Sequence, residues 1–187
     1  PAVLGYDVSG IVEEIGPGVS GLQPGDEVFF TPEIFGNPHG SYAEFTIASE
    51  RIVARKPDGL SHIEAAGIPL AGGTAWEAVI RRLAVRPGET LLIHGGAGGV
   101  GSFAVQFAKA AGAQVIATAS KANHSFLKEL GADVVIDYRD QDVAEQILGE
   151  AGHAGIDASF DTAGGNIEMS TLVTRPFGRI ATILPPT

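Results

Sequence analysis

One stretch constrains this chain more than any other: Leu91-Leu92-Ile93-His94-Gly95-Gly96-Ala97-Gly98-Gly99-Val100-Gly101. A short apolar strand runs into glycines, and the glycines open an amphipathic helix. Gly96-x-Gly98-x-x-Gly101 has the spacing of a dinucleotide loop. The first glycine permits a tight turn, the second lets the backbone approach a pyrophosphate, and the third lets helix and strand pack closely. The new helix offers unpaired N–H groups and the positive end of its dipole to phosphates. Val100, Phe103, Ala104, Phe107 and Ala111 then recur at helical spacing, so one face is apolar and can lie on a sheet. Gly112 ends the helix, and Gln114 to Ala119 reads as a second parallel strand. A bland glycine-rich turn would not need this strand before it and this helix after it.

From Thr90 onward strands and helices alternate. The pattern predicts strands at 90–94, 114–119, 133–137, 156–160 and 179–183, and helices at about 99–111, 122–130, 141–149 and 166–173. Such alternation indicates a parallel sheet with helices on both faces. Residues 1–58 read differently, as short strands cut by turns: Asp7 to Ile15, Glu27 to Phe30, Tyr42 to Ile47 and Arg51 to Ala54, with Thr31 to Gly40 as loop. Beyond Pro57, Ser61 and Glu64 form a capping-box signature, and Thr74 to Leu83 reads as a helix. The fold class expected is therefore α/β: a doubly wound Rossmann-type sheet over 59–187, preceded by a β-rich part over 1–58. A six-stranded dinucleotide fold needs one strand more than this pattern supplies. With Pro1 entering mid-fold, the chain is expected to be a fragment truncated before its last strand.

Composition narrows the function classes. The formal charge of −10 argues against nucleic acid, because a polyanion needs a basic face. No apolar run approaches the ~20 residues of a membrane-spanning helix, and the opening residues carry no basic leader, so a cytoplasmic protein is expected. Cysteine is absent, which excludes disulfides, a thiolate nucleophile and Cys-ligated zinc. The five histidines, His39, His62, His94, His124 and His153, show no metal-ligand spacing, and no metal is expected.

Cofactor choice rests on the end of the second strand. Enzymes that use NAD place an acid about 20 residues past the glycines, on the ribose 2′-hydroxyl. Here the strand ends Thr118-Ala119-Ser120-Lys121, without an acid. A serine donor and a lysine charge suit a 2′-phosphate, which points to NADPH. The alternative is that Ser120-Lys121 merely starts the next helix. Tyr138, after the third strand, borders the ligand crevice or is a surface tyrosine.

These residues together resemble the medium-chain dehydrogenase/reductase superfamily, and within it the zinc-independent quinone oxidoreductases of the zeta-crystallin-like branch. Gly5-Tyr6-Asp7-Val8-Ser9-Gly10 through Val19, Pro24-Gly25-Asp26-Glu27-Val28 and Gly40-Ser41-Tyr42-Ala43-Glu44-Phe45 resemble segments of its barrel. Gly73-Thr74-Ala75-Trp76, the glycine loop, Leu130-Gly131-Ala132-Asp133 and Phe160-Asp161-Thr162-Ala163-Gly164-Gly165 complete the series. The resemblance implies a partial GroES-like barrel over 1–58 and a Rossmann domain over 59–187. Zinc alcohol dehydrogenases of this superfamily have His-Glu where Tyr6-Asp7 stands, and a cysteine near Ala71-Gly72-Gly73. Without that Lewis acid, alcohol oxidation is disfavoured and reduction of a conjugated carbonyl remains feasible.

The resemblance implies an NADPH-dependent oxidoreductase that passes hydride to a quinone or an α,β-unsaturated carbonyl, working as a homodimer. It places Thr74 near the nicotinamide ribose or carboxamide, and Gly96, Gly98, Gly99, Val100 and Gly101 on the pyrophosphate. Ser120, Lys121 and Tyr138 take the 2′-phosphate side, and Thr162 and Ala163 line the cofactor past the fourth strand. Thr74 as a helix cap and Thr162 as a loop residue are the alternatives. Asp7 and Glu44 read as structural residues of the barrel, and no catalytic side chain is named. Two other functions fit: an enoyl-reductase domain of a polyketide or fatty-acid synthase, and an NADPH-binding homologue without turnover.

Overall fold

The computed structural model describes residues 3–32, 40–152 and 154–184. His39, His153, most of the loop read at 31–40 and the closing Pro185–Thr187 lie outside them. The chain forms two compact units, Pro1–Gly73 and Thr74–Thr187.

In the first unit, β1 (Val8–Ile11), β2 (Glu27–Phe30) and β3 (Ala54–Arg55) make an antiparallel sheet in the order β1-β2-β3. Val28 and Phe30 alternate inward, as half-buried strands do. Helix α1 (His62–Ala66) packs on β1 and β2. Its start is the expected capping box: Ser61 Oγ accepts from Glu64 N, and the Glu64 carboxylate accepts from Ser61 N. Two expectations are corrected. Tyr42–Ile47 alternates in sequence but forms no strand, and Tyr42, Phe45 and Ile47 are exposed, with no strand beside them among the described residues. Periodicity sets which face a strand would bury, not whether a neighbour is there to bond it. The helix read from Thr74 begins earlier, as α2 (Pro69–Trp76), and runs on as a π-helical segment, Glu77–Arg82. Pro69 suits a first helical turn, where its missing N–H costs nothing.

The second unit follows the alternation closely. Its strands are β4 (Thr90–His94), β5 (Gln114–Thr118), β6 (Val134–Ile136), β7 (Ile156–Asp161) and β8 (Thr174–Thr182). Its helices are α3 (Gly99–Ala110), α4 (His124–Glu129), α5 (Val143–Glu150) and α6 (Ile167–Val173). The five strands are parallel in the order β6-β5-β4-β7-β8, so β4 is central and the chain reverses direction beside it. β8 starts earlier than the pattern suggests, because a bulge lets Ile156 pair Thr174 before Ala158 pairs Arg179.

Side chains of β4 alternate between two cores. Leu91 and Ile93 meet Ala104, Val105 and Ala108 of α3 and Leu127 of α4. Leu92 faces the other way, with Ile116, Ile136, Ile147 of α5 and Val173 of α6. All three β4 residues are fully buried, and each such side chain contributes about 1.5–3 kcal/mol relative to exposure. Parallel register brings His94, Thr118, Ile136 and Asp161 to one edge of the sheet, where loops of a doubly wound fold leave their crevice.

Candidate dinucleotide-binding site

The turn between β4 and α3 is built for close backbone approach. Gly95 takes φ +70°, a left-handed conformation that favours glycine. A side chain on Gly101 would drive its Cβ into the carbonyl oxygen of Gly95 and within 2.8 Å of Gly96 Cα. A Cβ on Gly96 would come within 2.9 Å of the Ala117 methyl on the neighbouring strand. The chain is pinned from both sides. Gly96 N donates to Thr118 O at 3.0 Å, and Thr162 Oγ1 donates to His94 O at 2.6 Å. Thr162 thus joins the end of β7 to the loop, and its hydroxyl is engaged within the protein. Helix α3 begins at Gly99 after Gly98, with no side-chain cap on its first N–H groups. An uncapped helix N-terminus against a turn that admits no side chains is an anion cradle.

Two carboxylates shape the neighbouring loops, and both were missed in the sequence. Asp161 is fully buried and accepts from Ala163 N, Gly164 N, Asn166 N and Asn166 Nδ2 at 2.9–3.0 Å. Burial alone would raise its pKa, but these bonds outweigh it and hold the carboxyl below its usual range. Asp137 is also buried. It accepts from Arg139 Nε, Nη2 and N, and from Lys121 N at 3.3 Å. The Arg139 guanidinium holds the Asp137 carboxyl well below the ordinary value. Asp137 therefore ties the end of β6 to the Ser120–Lys121 corner while its charge is matched by Arg139. The signal for both was present in sequence as an acid followed closely by its partners: Asp137-x-Arg139 and Asp161 with Asn166.

Ser120 and Lys121 stand at this corner. Ser120 makes no capping bond to the short 3-10 turn Lys121–Asn123, and it accepts from Asn123 Nδ2 at 3.4 Å. Lys121 is exposed, and among the described residues it makes no ion pair. Tyr138 is exposed, with the Arg139 guanidinium 5.6 Å from its ring centroid. Ala163 lies against the glycine turn, 3.0 Å from where a Gly95 Cβ would stand. Of the expected site residues, the structure brings the glycines, Val100, Ser120, Lys121, Tyr138, Thr162 and Ala163 to the carboxyl edge of one sheet. Thr74 lies inside α2, so it is not the cap of that helix. In the first unit, Asp7 accepts from Leu70 N at 2.7 Å, a structural use of its carboxylate.

A cavity of about 390 Å³ opens beside this edge. His94, Thr118, Tyr138, Asp140, Asn166 and Met169 are among its lining residues. His94 is 3% exposed, and its Nε2 is a buried atom without a hydrogen-bond partner. Burial holds its pKa down, and the charge of Asp161 acts the other way. Among the described residues, no group of three or more His, Asp or Glu side chains is arranged to hold a metal, and no helix is long and apolar enough to cross a membrane.

Comparison with known proteins agrees with the two-part reading. Residues 1–58 match the alcohol dehydrogenase GroES-like domain, and residues 99–183 match the zinc-binding dehydrogenase model. The chain belongs to the medium-chain dehydrogenase/reductase superfamily. Among superfamily members, the chain is 44% identical over 144 residues to the 2-methylene-furan-3-one reductase of Solanum lycopersicum, covering 74% of this chain and 37% of that protein. It is 35% identical over 170 residues to a mycocerosic acid synthase-like polyketide synthase of Mycobacterium tuberculosis, covering 90% of this chain and 8% of that protein. The structure of the quinone oxidoreductase from Coxiella burnetii superposes with TM-score 0.88 at 40% identity, covering 97% of this chain and 56% of that one. Solved relatives differ in cofactor. A mycobacterial one was solved with NADPH (33% identity, TM-score 0.86, 98% of this chain and 58% of that one). Another is an NAD-dependent alcohol dehydrogenase (38% identity, TM-score 0.90, 97% of this chain and 60% of that one). The chain spans 56% or less of these curated relatives and Coxiella structure.

Proposed function

We propose that this chain is the cofactor-binding core of an NADPH-dependent, zinc-independent reductase acting on a quinone or an α,β-unsaturated carbonyl. The observation that carries the cofactor reading is the β4–α3 turn, where Gly96 and Gly101 leave no room for a Cβ and the uncapped α3 N-terminus faces outward from it. The orphaned Nε2 of His94 beside it fits a site that takes a polar ligand. When bound, the nicotinamide supplies the hydride; the protein supplies binding, orientation and exclusion of water. The N–H groups of Gly99, Val100 and Gly101 would hold the pyrophosphate. Ser120 and Lys121 would hold the 2′-phosphate, because the corner carries a lysine charge and the carboxylate that reaches it, Asp137, is already matched by Arg139. Tyr138, Thr162 and Ala163 would flank the adenosine half, and Thr74 the nicotinamide side by family resemblance. The absence of cysteine and the Tyr6-Asp7 pair support chemistry without zinc.

A quinone or enone acceptor is supported by the quinone oxidoreductase and the furanone reductase among the relatives. A second reading, an enoyl-reductase domain, is favoured by the polyketide synthase match over 90% of the chain. Steady-state NADPH oxidation by the intact protein separates them. Turnover with free quinones or enones supports the first, and turnover confined to enoyl thioesters the second. Tight NADPH binding with no turnover on any of these acceptors would sink both. Lys121→Ala is expected to weaken NADPH by about tenfold and leave NADH unchanged. Equal effects on the two cofactors would refute the 2′-phosphate assignment.

A further inference from the structure

Three side chains of the first unit stand in a line that the dinucleotide site does not use. Ser9 lies on β1, Glu27 opens β2, and His62 is the first residue of α1. The antiparallel register sets Ser9 opposite Phe29 and Ile11 opposite Glu27. Strand residues two apart share a face, so Ser9, Ile11, Glu27 and Phe29 point to one side of the sheet, and the buried Val28 and Phe30 point to the other. Ser9 and Glu27 are therefore a diagonal pair, roughly 7–8 Å apart at the backbone. That gap is wide enough for one imidazole ring.

His62 fills it. Its Nδ1 lies 2.8 Å from Ser9 Oγ, and its Nε2 lies 3.3 Å from Glu27 Oε1. The other oxygen of the carboxylate, Oε2, is 3.1 Å from Nζ of Lys56, whose side chain is buried. The carboxylate is thus held at both oxygens. It also decides which ring nitrogen carries the proton. Nε2–H donates to Glu27, which leaves Nδ1 of the neutral ring as an acceptor, and the Ser9 hydroxyl donates to it. The competing acceptor, Val28 O, is farther from Ser9 Oγ at 3.3 Å. The Ser61–Glu64 capping box fixes the start of α1, and with it the backbone of His62.

A hydroxyl on a base, with the base oriented by a third group, is the arrangement that activates a serine nucleophile. A donor for the developing oxyanion is the second requirement. Val12 N donates to Asp26 O and Val12 O accepts from Gly25 N, so Val12 turns both groups toward β2. Alternation along an antiparallel strand turns those of Ser9 the opposite way. Among the described residues β1 is the end strand of its sheet, so Ser9 N–H points out of the sheet edge beside its own hydroxyl. Ser9 and His62 are half-buried, and Ile11 on the same face is an exposed apolar neighbour.

We propose that Ser9, His62 and Glu27 form an esterase site for small activated esters. The inference does not depend on the dinucleotide reading. Ser9 Oγ attacks the ester carbonyl carbon, and its proton passes to His62 Nδ1. The oxyanion takes the Ser9 N–H. The ester C–O bond then breaks, and the leaving oxygen takes the proton from His62. Water attacks the acyl-Ser9 carbonyl, giving its proton to Nδ1. The acid is released, and Ser9 recovers its proton from His62. Ester and water become alcohol and acid, and nothing is oxidised or reduced. Glu27 stays ionised throughout and steadies the imidazolium. Its charge is shared with Lys56, which keeps the rate modest.

The test uses the intact protein and two probes. Hydrolysis of 4-nitrophenyl butyrate is followed by release of 4-nitrophenolate. Labelling by an alkyl fluorophosphonate, in which a serine oxygen displaces fluoride at phosphorus, is located by tandem mass spectrometry. One label per chain is expected, on Ser9. Ser9→Ala and His62→Gln should each lower hydrolysis at least about tenfold, since a positioned general base contributes about 10²–10⁴-fold. Glu27 acts through His62 as a positioning residue. Glu27→Gln should lower kcat and leave KM unchanged, and Glu27→Asp should recover part of the loss. Absence of label from Ser9 in the unaltered protein overturns the proposal, and that result needs no variant to fold. So does hydrolysis undiminished in Ser9→Ala. Labelling of Ser9 at an unchanged rate in folded His62→Gln overturns it too, because Ser9 would then be an ordinary accessible hydroxyl.

Discussion

At the scale of single residues, Gly101 and His94 bear most directly on the site. Gly101→Ala would force a methyl into the Gly95 carbonyl at a place where turn and helix both resist movement. The loss in stability is expected at about 1–3 kcal/mol, with NADPH affinity falling at least about tenfold as the cradle shifts. Urea unfolding and ligand titration measure the two, and full affinity in the variant would show that the turn does not hold phosphate. His94 predicts a pH dependence. Burial lowers its pKa from 6.5, so the folded ring stays neutral where an unfolded histidine takes up a proton. The unfolded state then binds more protons, and stability falls as pH drops below about 6.5. Asp137 and Asp161 act in the same direction at lower pH, since their depressed pKa values give stability that disappears as pH falls through the carboxylate range. His94→Gln should flatten the slope of unfolding midpoint against pH between about 6.5 and 5. An unchanged slope would mean the ring is protonated in the fold without penalty. The orphaned Nε2 was not legible in the sequence, because a lone His gives no sign of what burial will surround it with, whereas the Asp161 loop had a local signal in Asn166 that went unread.

At the scale of elements, the local code was legible wherever bonds close within a few residues. The Ser61–Glu64 capping box was read from spacing alone and is formed. Ser61→Ala should cost about 0.5–2 kcal/mol in the stability of the first unit, seen as a lower urea midpoint. Glu27 to Phe30 and Thr90 to His94 fall where the pattern put them. The reading failed where an element needs a distant partner. Tyr42–Ile47 has the alternation of a strand and no strand to pair with among the described residues, and the start of β8 depends on a bulge against β7 that its own residues do not announce. The helix expected to begin at Thr74 begins at Pro69, and Gly72 and Gly73 lie inside it.

For the whole molecule, one sheet carries two cores in the second unit, and they share β4. Leu92→Ala opens a cavity on the α5–α6 side only. It is expected to cost about 2–5 kcal/mol and to leave the α3 side, where the β4–α3 glycine turn sits, in place. Calorimetric unfolding measures the cost, and NADPH binding below the transition tests whether the two faces are separable. A loss of binding in the folded variant would show that the cores are coupled through β4. The family models divide the chain near residue 58, whereas α1 packs on β1 and β2 and draws residues up to Gly73 into the first compact unit.

The sequence by itself determined the α/β class, the strand–glycine turn–helix unit and the lack of an acid at the end of the second strand. Each of these depends on periodicity or on spacing within one strand–turn–helix unit, where the geometry is local. The strand order, the tie from Lys121 N to the Asp137 carboxylate and the acid-rimmed cavity above His94 were decided by the tertiary structure alone. They bring together residues from β4, β5, β6 and β7, and only a parallel register places those four strand ends on one edge.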